Sequence, residues 1–300
     1  MAPVRAEILA RAEAAYLGLA LGDALGATVE FMTPREIARE FGVHRDITGG
    51  GWLRLKPGRV TDDTTMSLAL GEAIINDRGE VRALSCARAF DAWMRAKPVD
   101  IGNTVRRNLV AFRRSGDPEA PPSEQDAGNG AAMRVLPVAL ASFGRPEAEV
   151  RVCVRAQAHV THHNAMSDAA CEFLALALQD FLRGDSLREV FLRRVQPLVT
   201  AHPAFAFRGR PRREYPSGWV VETLQAVLQS FIDVGGFESC LVDVVNRGGD
   251  ADTTGAIAGM LCGALYGMAA LPPRWLKALD PKVRAACSDQ ARRLLVPVVV

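Results

Sequence analysis

The segment 255–271, GAIAGMLCGALYGMAAL, places a glycine at every fourth position. Residues four apart lie on one face of an α-helix, so this face of the predicted helix is bare backbone. A bare face allows another helix to approach closely, either in a membrane helix pair or in the centre of a soluble protein. The segment has only the minimum length for crossing a bilayer, acidic residues precede it, and it lacks flanking basic or aromatic anchors. We therefore predict a central, closely packed helix of a soluble protein.

Helical periodicity dominates the rest of the chain, and strand signals are few. Apolar residues recur at spacings of three and four in segments 5–21, 64–77, 81–95, 103–114, 131–143, 147–160, 165–183, 187–199, 219–233 and 236–246. The breaks between these segments are rich in glycine, proline and polar residues, but none is long or biased enough to be an interdomain linker. The sequence thus predicts one all-α domain over residues 1–300.

Composition narrows the class of protein. A chain of 300 residues with 49% hydrophobic residues can bury a substantial core. Its 36 basic and 34 acidic residues nearly balance, and no stretch combines Lys and Arg with interleaved aromatics, so we expect no nucleic-acid partner. The six cysteines are scattered without a C-x-x-C pair, and the N-terminus mixes Arg and Glu among its apolar positions, unlike a signal peptide. We expect a cytoplasmic protein with reduced core cysteines.

Two acidic motifs, TDDTT at 61–65 and DADTT at 250–254, each precede a predicted helix. Helix capping accounts for one acid per helix start. Two acids per start repel each other unless a cation lies between them. If the two helix starts are neighbours, four carboxylates and several threonine hydroxyls converge, and this all-oxygen set favours Mg²⁺ or Mn²⁺ over Zn²⁺. Capping without metal stays an alternative.

Two other interpretations of DADTT fit less well. As an EF-hand loop starting at Asp250, the motif has Leu261 where the bidentate glutamate must stand. As the D-x-D-x-T motif of a phosphatase that forms an aspartyl-phosphate, it would have to follow a strand of a parallel sheet. The scarcity of strand signals disfavours that chemistry.

Five motifs follow one another along the chain: GLALGDALGATVEF (18–31), TDDTTMSLALG (61–71), DAGNGAAMRVLPVAL (126–140), THHNAMSDAA (161–170) and NRGGDADTTGAIAGMLCGALYG (246–267). Together they resemble the ADP-ribosylglycohydrolase family. The resemblance implies a compact many-helix domain with a dinuclear metal site in a central cleft, holding two Mn²⁺ for which Mg²⁺ could substitute. By position, it implies the metal ligands Thr61, Asp62, Asp63, Asp250, Asp252 and Thr253.

The resemblance also implies catalytic acids. Besides Asp63, these are Glu30, which would hold a water or the ribose beside the metals, and Asp100, which would transfer a proton on the ribose. Without the family context, Glu30 reads as an exposed acid at a helix end and Asp100 as a helix N-cap. Metals that orient ribose hydroxyls and acidify a water suit the cleavage of a ribosyl–guanidinium bond.

Substrate-binding residues are predicted from the same motifs. Gly128, Asn129 and Gly130 would let backbone N–H groups approach the phosphates at the start of a helix. Further candidates are Arg134 for the phosphates, His162 near the substrate, Trp219 for stacking on adenine or guanidinium, and Glu124 for the arginine. Each has a structural alternative: a simple turn for the glycines, a surface position for Arg134, a hydrogen-bonded structural role for His162 and a core position for Trp219.

The segments GGGWLRLKPG (49–58) and KPVDIGNTVRRNL (97–109) are similar to one subgroup of the family. That similarity implies an ADP-ribosylarginine hydrolase acting on ADP-ribosylated dinitrogenase reductase, the nitrogenase iron protein. It further implies control by a PII-type nitrogen signalling protein and reversible membrane association through an ammonium transporter. The alternatives are a hydrolase of another ADP-ribosyl linkage, O-linked serine or a free ADP-ribose derivative, and a non-catalytic ADP-ribose-binding regulator.

Overall fold

The computed structural model describes the backbone of residues 2–299 and the side chains of residues 5–295. Within that range the regular secondary structure is helical, and β-pairing is limited to isolated bridges between Gly50 and Leu55 and between Gly128 and Trp219. The α-helices are α1 (Ala2–Gly26), α2 (Pro34–Phe41), α3 (Asp62–Asn76), α4 (Ala83–Arg95), α5 (Asn103–Ser115), α6 (Leu136–Ala141), α7 (Glu147–Ala158), α8 (Ala165–Leu182), α9 (Leu187–Val190), α10 (Gln196–Ala201), α11 (Val220–Asp233), α12 (Phe237–Val245), α13 (Ala251–Tyr266), α14 (Pro273–Ala278) and α15 (Pro281–Val299). The all-α prediction is confirmed.

Helices α1 and α13 form the centre of the fold through backbone contact. A Cβ atom added to Gly22 would lie 1.9 Å from the carbonyl oxygen of Gly255, and one added to Gly259 would lie 2.0 Å from that of Gly18. Every residue of α13 from Ala251 to Ala264 is buried. The prediction of a central, closely packed helix is confirmed, although α13 begins at Ala251 and ends at Tyr266.

The buried apolar side chains form one cluster that reaches from α1 to α15. All six cysteines lie in the described range, where they are buried and form no disulfide. No helix in the described part of the chain is long and apolar enough to cross a membrane. The extent of a single domain over 1–300 stays a prediction.

Several helix boundaries differ from the periodic pattern. Segment 131–143 is helical only from Leu136, because residues 131–135 form turns and Pro137 suits the first turn of a helix. Segment 187–199 contains a π-helical turn at Phe191–Val195. Pro197 follows this turn and has no N–H to donate to the preceding turn, which favours such a widening.

Helices α2, α14 and α15 are not predicted by the pattern. A capping box marks the start of α2: the N–H of Thr33 donates to Glu36 Oε2 at 2.8 Å, and the N–H of Glu36 donates to Thr33 Oγ1 at 3.3 Å. This threonine and glutamate, three residues apart before an apolar run, are a sequence signal for a helix start. The signal for α2 was therefore present in the sequence.

We expect the Gly22→Ala substitution to lower the free energy of unfolding by about 3 kcal/mol, because the added methyl group forces the backbones of α1 and α13 apart. The matched control is Gly235→Ala, since a Cβ atom there meets nothing within 4 Å. Urea unfolding of both variants measures the difference. Equal stability of the two variants would contradict the proposed backbone contact.

Candidate metal centre and active site

Four carboxylates converge where α3 and α13 begin. Asp62 and Asp63 lie in the first turn of α3, Asp250 is the N-cap residue of α13, and Asp252 lies in its first turn. One oxygen each from Asp62, Asp63 and Asp252 lie within 4.8 Å of one another, and so do oxygens of Glu30, Asp250 and Asp252. Asp252 belongs to both groups, so the two candidate cation positions are adjacent.

Asp23 of α1 holds the start of α3 in place. Its carboxylate accepts hydrogen bonds from the backbone N–H groups of Thr61 and Thr64, at 2.9 and 3.1 Å, and from the Thr64 hydroxyl at 2.5 Å. Thr61 is the N-cap residue of α3, but within the described structure its side chain makes no capping hydrogen bond. Asp23, which lies on another helix, caps α3 instead. Burial raises the pKa of Asp23 to about 6, and these hydrogen bonds oppose that rise. Asp23 is not among the predicted site residues, and the signal that the sequence offers for it is a lone acid in the apolar second half of α1.

Asp63 is buried but incompletely satisfied. The hydroxyls of Thr61 and Thr253 lie 3.2 and 3.4 Å from its Oδ2 atom. Its Oδ1 atom is buried and has no hydrogen-bond partner among the described residues. A buried carboxylate oxygen without a donor is unfavourable, and a cation removes that penalty. The donors here are carboxylate and hydroxyl oxygens, so the residues fit a hard divalent cation.

The carboxylates also raise one another's pKa values. Burial, with repulsion from Asp100 and Asp23, raises the pKa of Asp62 to about 7. Burial raises the pKa of Glu30 to about 8, with repulsion from Asp250 and Asp100 adding to the rise. The pKa values of Asp63 and Asp252 are well above the ordinary range for the same reasons. Protons therefore stay on this cluster unless a cation replaces them.

Helix capping accounts for only part of the acids: Asp252 accepts a hydrogen bond of 2.9 Å from the N–H of Thr253 in the first turn of α13. Asp250 occupies the N-cap position of α13 without a side-chain cap bond to the described helix, and Asp23 rather than Asp62 or Asp63 caps α3. The phosphatase alternative needs a strand before DADTT, whereas α12 ends at Val245 and turns lead directly into α13. The cation interpretation is the one that the geometry supports.

The centre opens into a cleft of about 330 Å³. Most predicted site residues line it: Glu30, Asp62, Asp100, Gly128, Asn129, Gly130, His162, Asp250, Asp252 and Thr253. Thr61 and Asp63 are buried. Phe31, Gly102, Asn103, Thr104, Val105, Met133 and Gly218 complete the lining.

Two of the three predicted catalytic acids, Glu30 and Asp100, line the cleft. Glu30 is only 5% exposed, and its Oε2 atom accepts a hydrogen bond of 2.6 Å from Nε1 of Trp52. Asp100 precedes the N-cap residue of α5, Gly102, by two residues. The alternatives of an exposed acid for Glu30 and a helix N-cap for Asp100 are therefore wrong.

The glycine loop 128–130 lies against His162. A Cβ atom on Gly130 would stand 2.8 Å from Cε1 of His162. Asn129 ties the loop to the carboxylate centre, because its Nδ2 atom donates to Asp250 Oδ2 at 2.6 Å and to Thr223 Oγ1 at 3.0 Å. Burial and the nearby arginines hold the pKa of His162 well below its usual range, so its imidazole is neutral.

Besides the starts of α3 and α13, a further helix start faces the cleft, and it is not the predicted one. The helix after the glycine loop, α6, begins only at Leu136. Instead, Asn103 and Thr104 in the first turn of α5 line the cleft, and the N-cap residue of α5, Gly102, has no side chain with which to cap it. The positive end available to an anion in the cleft is thus that of α5.

Arg134 and Glu124 do not line the cleft. The guanidinium of Arg134 is fully buried and donates to Gln157 Oε1 and Thr161 Oγ1, each at 2.8 Å. The structure thereby corrects the predicted phosphate contact, and also the alternative of a surface position. Glu124 is exposed on the loop before the glycine residues, away from the cleft lining.

Trp219 lies at the edge of the cleft rather than in the core. It is 45% exposed, is the N-cap residue of α11 and follows Gly218, whose carbonyl oxygen accepts from the N–H of Asn129 at 2.9 Å. The core alternative for Trp219 is wrong. Stacking on the substrate stays a prediction.

An all-α fold and a cleft that ends in two groups of carboxylates are the features that the sequence resemblance implied. The sequence profile of the ADP-ribosylglycohydrolase family matches residues 4–298, and the chain belongs to that family. It is 48% identical to the ADP-ribosyl-[dinitrogen reductase] glycohydrolase of Rhodospirillum rubrum, over 95% of each chain. It is 33% identical to the ADP-ribosylarginine hydrolase Tri1 of Serratia proteamaculans, over 93% of this chain and 77% of the relative.

A solved structure shows the same fold. The chain in the "ADP-ribosylglycohydrolase-related protein complex" superposes with a TM-score of 0.85 at 36% sequence identity, over 96% of this chain and 98% of that one. The family match and the similarity to the Rhodospirillum rubrum glycohydrolase identify the chain as an ADP-ribosyl hydrolase.

Replacing Asp23 tests its capping role. We expect Asp23→Ala to lower the free energy of unfolding by about 3 kcal/mol, because two buried N–H groups at the start of α3 lose their acceptor. The control is Asp289→Ala, whose side chain is 61% exposed. Urea unfolding compares the two, and an unchanged stability in Asp23→Ala would contradict the capping role.

Without metal, we expect the protein to lose stability as the pH rises from about 5 to about 8. The unfolded carboxylates ionise near 3.8 and 4.5, whereas Asp62 and Glu30 in the folded chain ionise at about 7 and about 8. The folded chain therefore binds more protons across this window, and rising pH favours the unfolded chain. Thermal unfolding in EDTA and in Mn²⁺ measures the effect. The cation should remove this loss, and an EDTA series that gains stability with pH would contradict the raised pKa values.

Proposed function

We propose that this protein is a Mn²⁺-dependent hydrolase that removes ADP-ribose from a modified arginine of dinitrogenase reductase and so reactivates nitrogenase. The observation that carries the metal-dependent chemistry is the pair of carboxylate groups that share Asp252 at the end of the cleft. The similarity to the Rhodospirillum rubrum glycohydrolase, over nearly the whole of both chains, supports the linkage and the protein substrate.

Two cations would be held by Thr61, Asp62, Asp63, Asp250, Asp252 and Thr253. Mn²⁺ and its substitute Mg²⁺ both suit this all-oxygen set. Bound there, the cations supply Lewis acidity and lower the pKa of a coordinated water.

The protein's own residues bind the substrate and transfer the protons. Hydrolysis adds water across the bond between ribose C1 and the guanidine nitrogen, so the leaving nitrogen must gain a proton. Asp100 lines the cleft and is the group proposed to move a proton at the ribose. Glu30, oriented by the indole of Trp52, is proposed to hold the attacking water or a ribose hydroxyl. The open start of α5 and the N–H groups of Gly128 and Gly130 are proposed to donate to the pyrophosphate, since the N–H of Asn129 already donates to Gly218.

Two other functions are possible alternatives: a hydrolase with a different ADP-ribosyl substrate, and a regulator that catalyses no reaction. A serine-linked or free ADP-ribose derivative would use the same centre. A non-catalytic regulator would not need it, and the complete set of acids argues against that role. Control by a PII-type protein and membrane association through an ammonium transporter stay predictions from the sequence resemblance. The cytoplasmic location stays a prediction from the cysteines and the N-terminal composition.

Release of ADP-ribose from ADP-ribosylated dinitrogenase reductase tests the proposal. We expect the wild type to release it in Mn²⁺ and not in EDTA, and Asp252→Ala to reduce the rate at least about 100-fold because both cation positions lose a ligand. Asp289→Ala, an exposed acid on α15, should keep the wild-type rate.

The outcomes separate the candidate functions. If the protein releases ADP-ribose from serine but not from arginine, it is a hydrolase of the serine linkage. Binding of ADP-ribose without release from any substrate would favour the regulator.

A further inference from the structure

The loop of residues 49–58 is folded as a tight turn that presents Trp52 beside the cleft. Gly50 and Leu55 exchange both backbone hydrogen bonds, at 2.7 and 2.9 Å, and the N–H of Arg54 donates to the Gly51 carbonyl at 3.0 Å. Arg54 adopts a left-handed φ of 52° to close the turn. The loop contacts the carboxylate centre through the indole of Trp52, which donates to Glu30, but that hydrogen bond does not explain why the ring stays exposed.

The loop is seated directly on the backbone that follows α1. A Cβ atom on Gly51 would stand 2.3 Å from the carbonyl oxygen of Ala27. This seating places Nε1 of Trp52 2.6 Å from Oε2 of Glu30, while the indole is still 51% exposed. The ring is therefore fixed in position but not covered.

Phe31 presents a second exposed ring at the same place. Its side chain is 54% exposed and lines the cleft beside Glu30, and its ring centroid lies 5.5 Å from that of Trp52 at an interplanar angle of 47°. Phe31 has a left-handed φ of 62°, which is unfavourable for an aromatic residue, and its N–H donates to the Gly249 carbonyl at 2.7 Å. The fold thus holds an apolar ring in solvent at an unfavourable backbone conformation, which points to a ligand.

The electrostatics of this position favour a cation. Aromatic faces attract cations, and a guanidinium group is planar and stacks on them. The adjoining lining carries the carboxyl groups of Glu30, Asp100 and Asp250. The phosphates of ADP-ribose would be repelled here, whereas the guanidinium of a modified arginine would be attracted.

We propose that Phe31 and Trp52 form the subsite for the guanidinium group of the ADP-ribosylated arginine, and so determine the preference for arginine over serine linkages. This inference rests on the proposed function. The two rings act on the leaving group, while the glycine loop and the start of α5 act on the ADP-ribose part.

Free ADP-ribosyl-arginine is the appropriate substrate for the test, because it carries the guanidinium without a protein surface. We expect Phe31→Leu and Trp52→Leu each to lower kcat/KM about tenfold through a higher KM. Trp52→Phe keeps an aromatic face but loses the Nε1–H that donates to Glu30, so it should keep a KM near that of the wild type and lower kcat. The control is Val152→Ala, an exposed apolar residue on α7 that should have no effect.

Inhibition by ADP-ribose separates the possible roles of the two rings and confirms that each variant is folded. We expect its inhibition constant to stay within about twofold of the wild type in both leucine variants, because the product lacks a guanidinium group. A parallel loss of ADP-ribose inhibition would assign the rings to the adenosine or ribose and overturn the proposal. An unchanged KM would overturn it as well. Failure of the wild type itself to cleave the arginine linkage would instead refute the proposed function.

Discussion

The site depends on how closely the backbones of α1 and α13 approach each other. A Cβ atom on Gly26 would lie 2.1 Å from the carbonyl oxygen of Ala251, so the end of α1 lies directly against the start of α13. Asp23 of α1 in turn caps the start of α3, which brings Asp62 and Asp63 to the start of α13. The carboxylate positions are thus set by contacts between helix backbones, which are stiffer than loops. A centre with mutually repelling charges requires that stiffness, because flexible supports would let the acids separate.

Asp23 and Asp63 are both buried aspartates, but one supports the structure and the other is a candidate cation ligand. Both carboxylates are buried, but Asp23 accepts hydrogen bonds from two backbone N–H groups and two hydroxyls, whereas Oδ1 of Asp63 is left without a partner in the described structure. The Asp23 carboxylate is therefore satisfied by hydrogen bonds, whereas the Asp63 carboxylate stays available to a cation. The fold therefore carries a locally unfavourable site whose compensation comes from the packed helices around it, as is common where function demands strain.

The sequence predicts the parts of this arrangement that are periodic or repeated. Glycines four apart predict the close helix contact, and the paired acid and threonine motifs predict the carboxylate centre. A single residue whose role depends on tertiary contact gives no such signal. Asp23 is a lone acid in the apolar second half of α1, and Arg134 looks like a surface arginine until its buried partners Gln157 and Thr161 are known. The exposure of Phe31 and Trp52 is likewise set by the folding of distant segments, since an aromatic residue in a sequence is more often buried than exposed.

The glycines before Asp250 connect recognition with the metal centre. A Cβ atom on Gly248 would stand 2.0 Å from the Met32 carbonyl, so the chain that leads to Asp250 lies against the segment that carries Phe31. Reciprocal hydrogen bonds join the two: the N–H of Phe31 donates to Gly249, and the N–H of Gly249 donates to Met32. One backbone frame therefore positions both a candidate cation ligand and a candidate recognition ring. Because the frame is made of main-chain contacts, the side chain at position 31 can change without moving the backbone that carries Asp250.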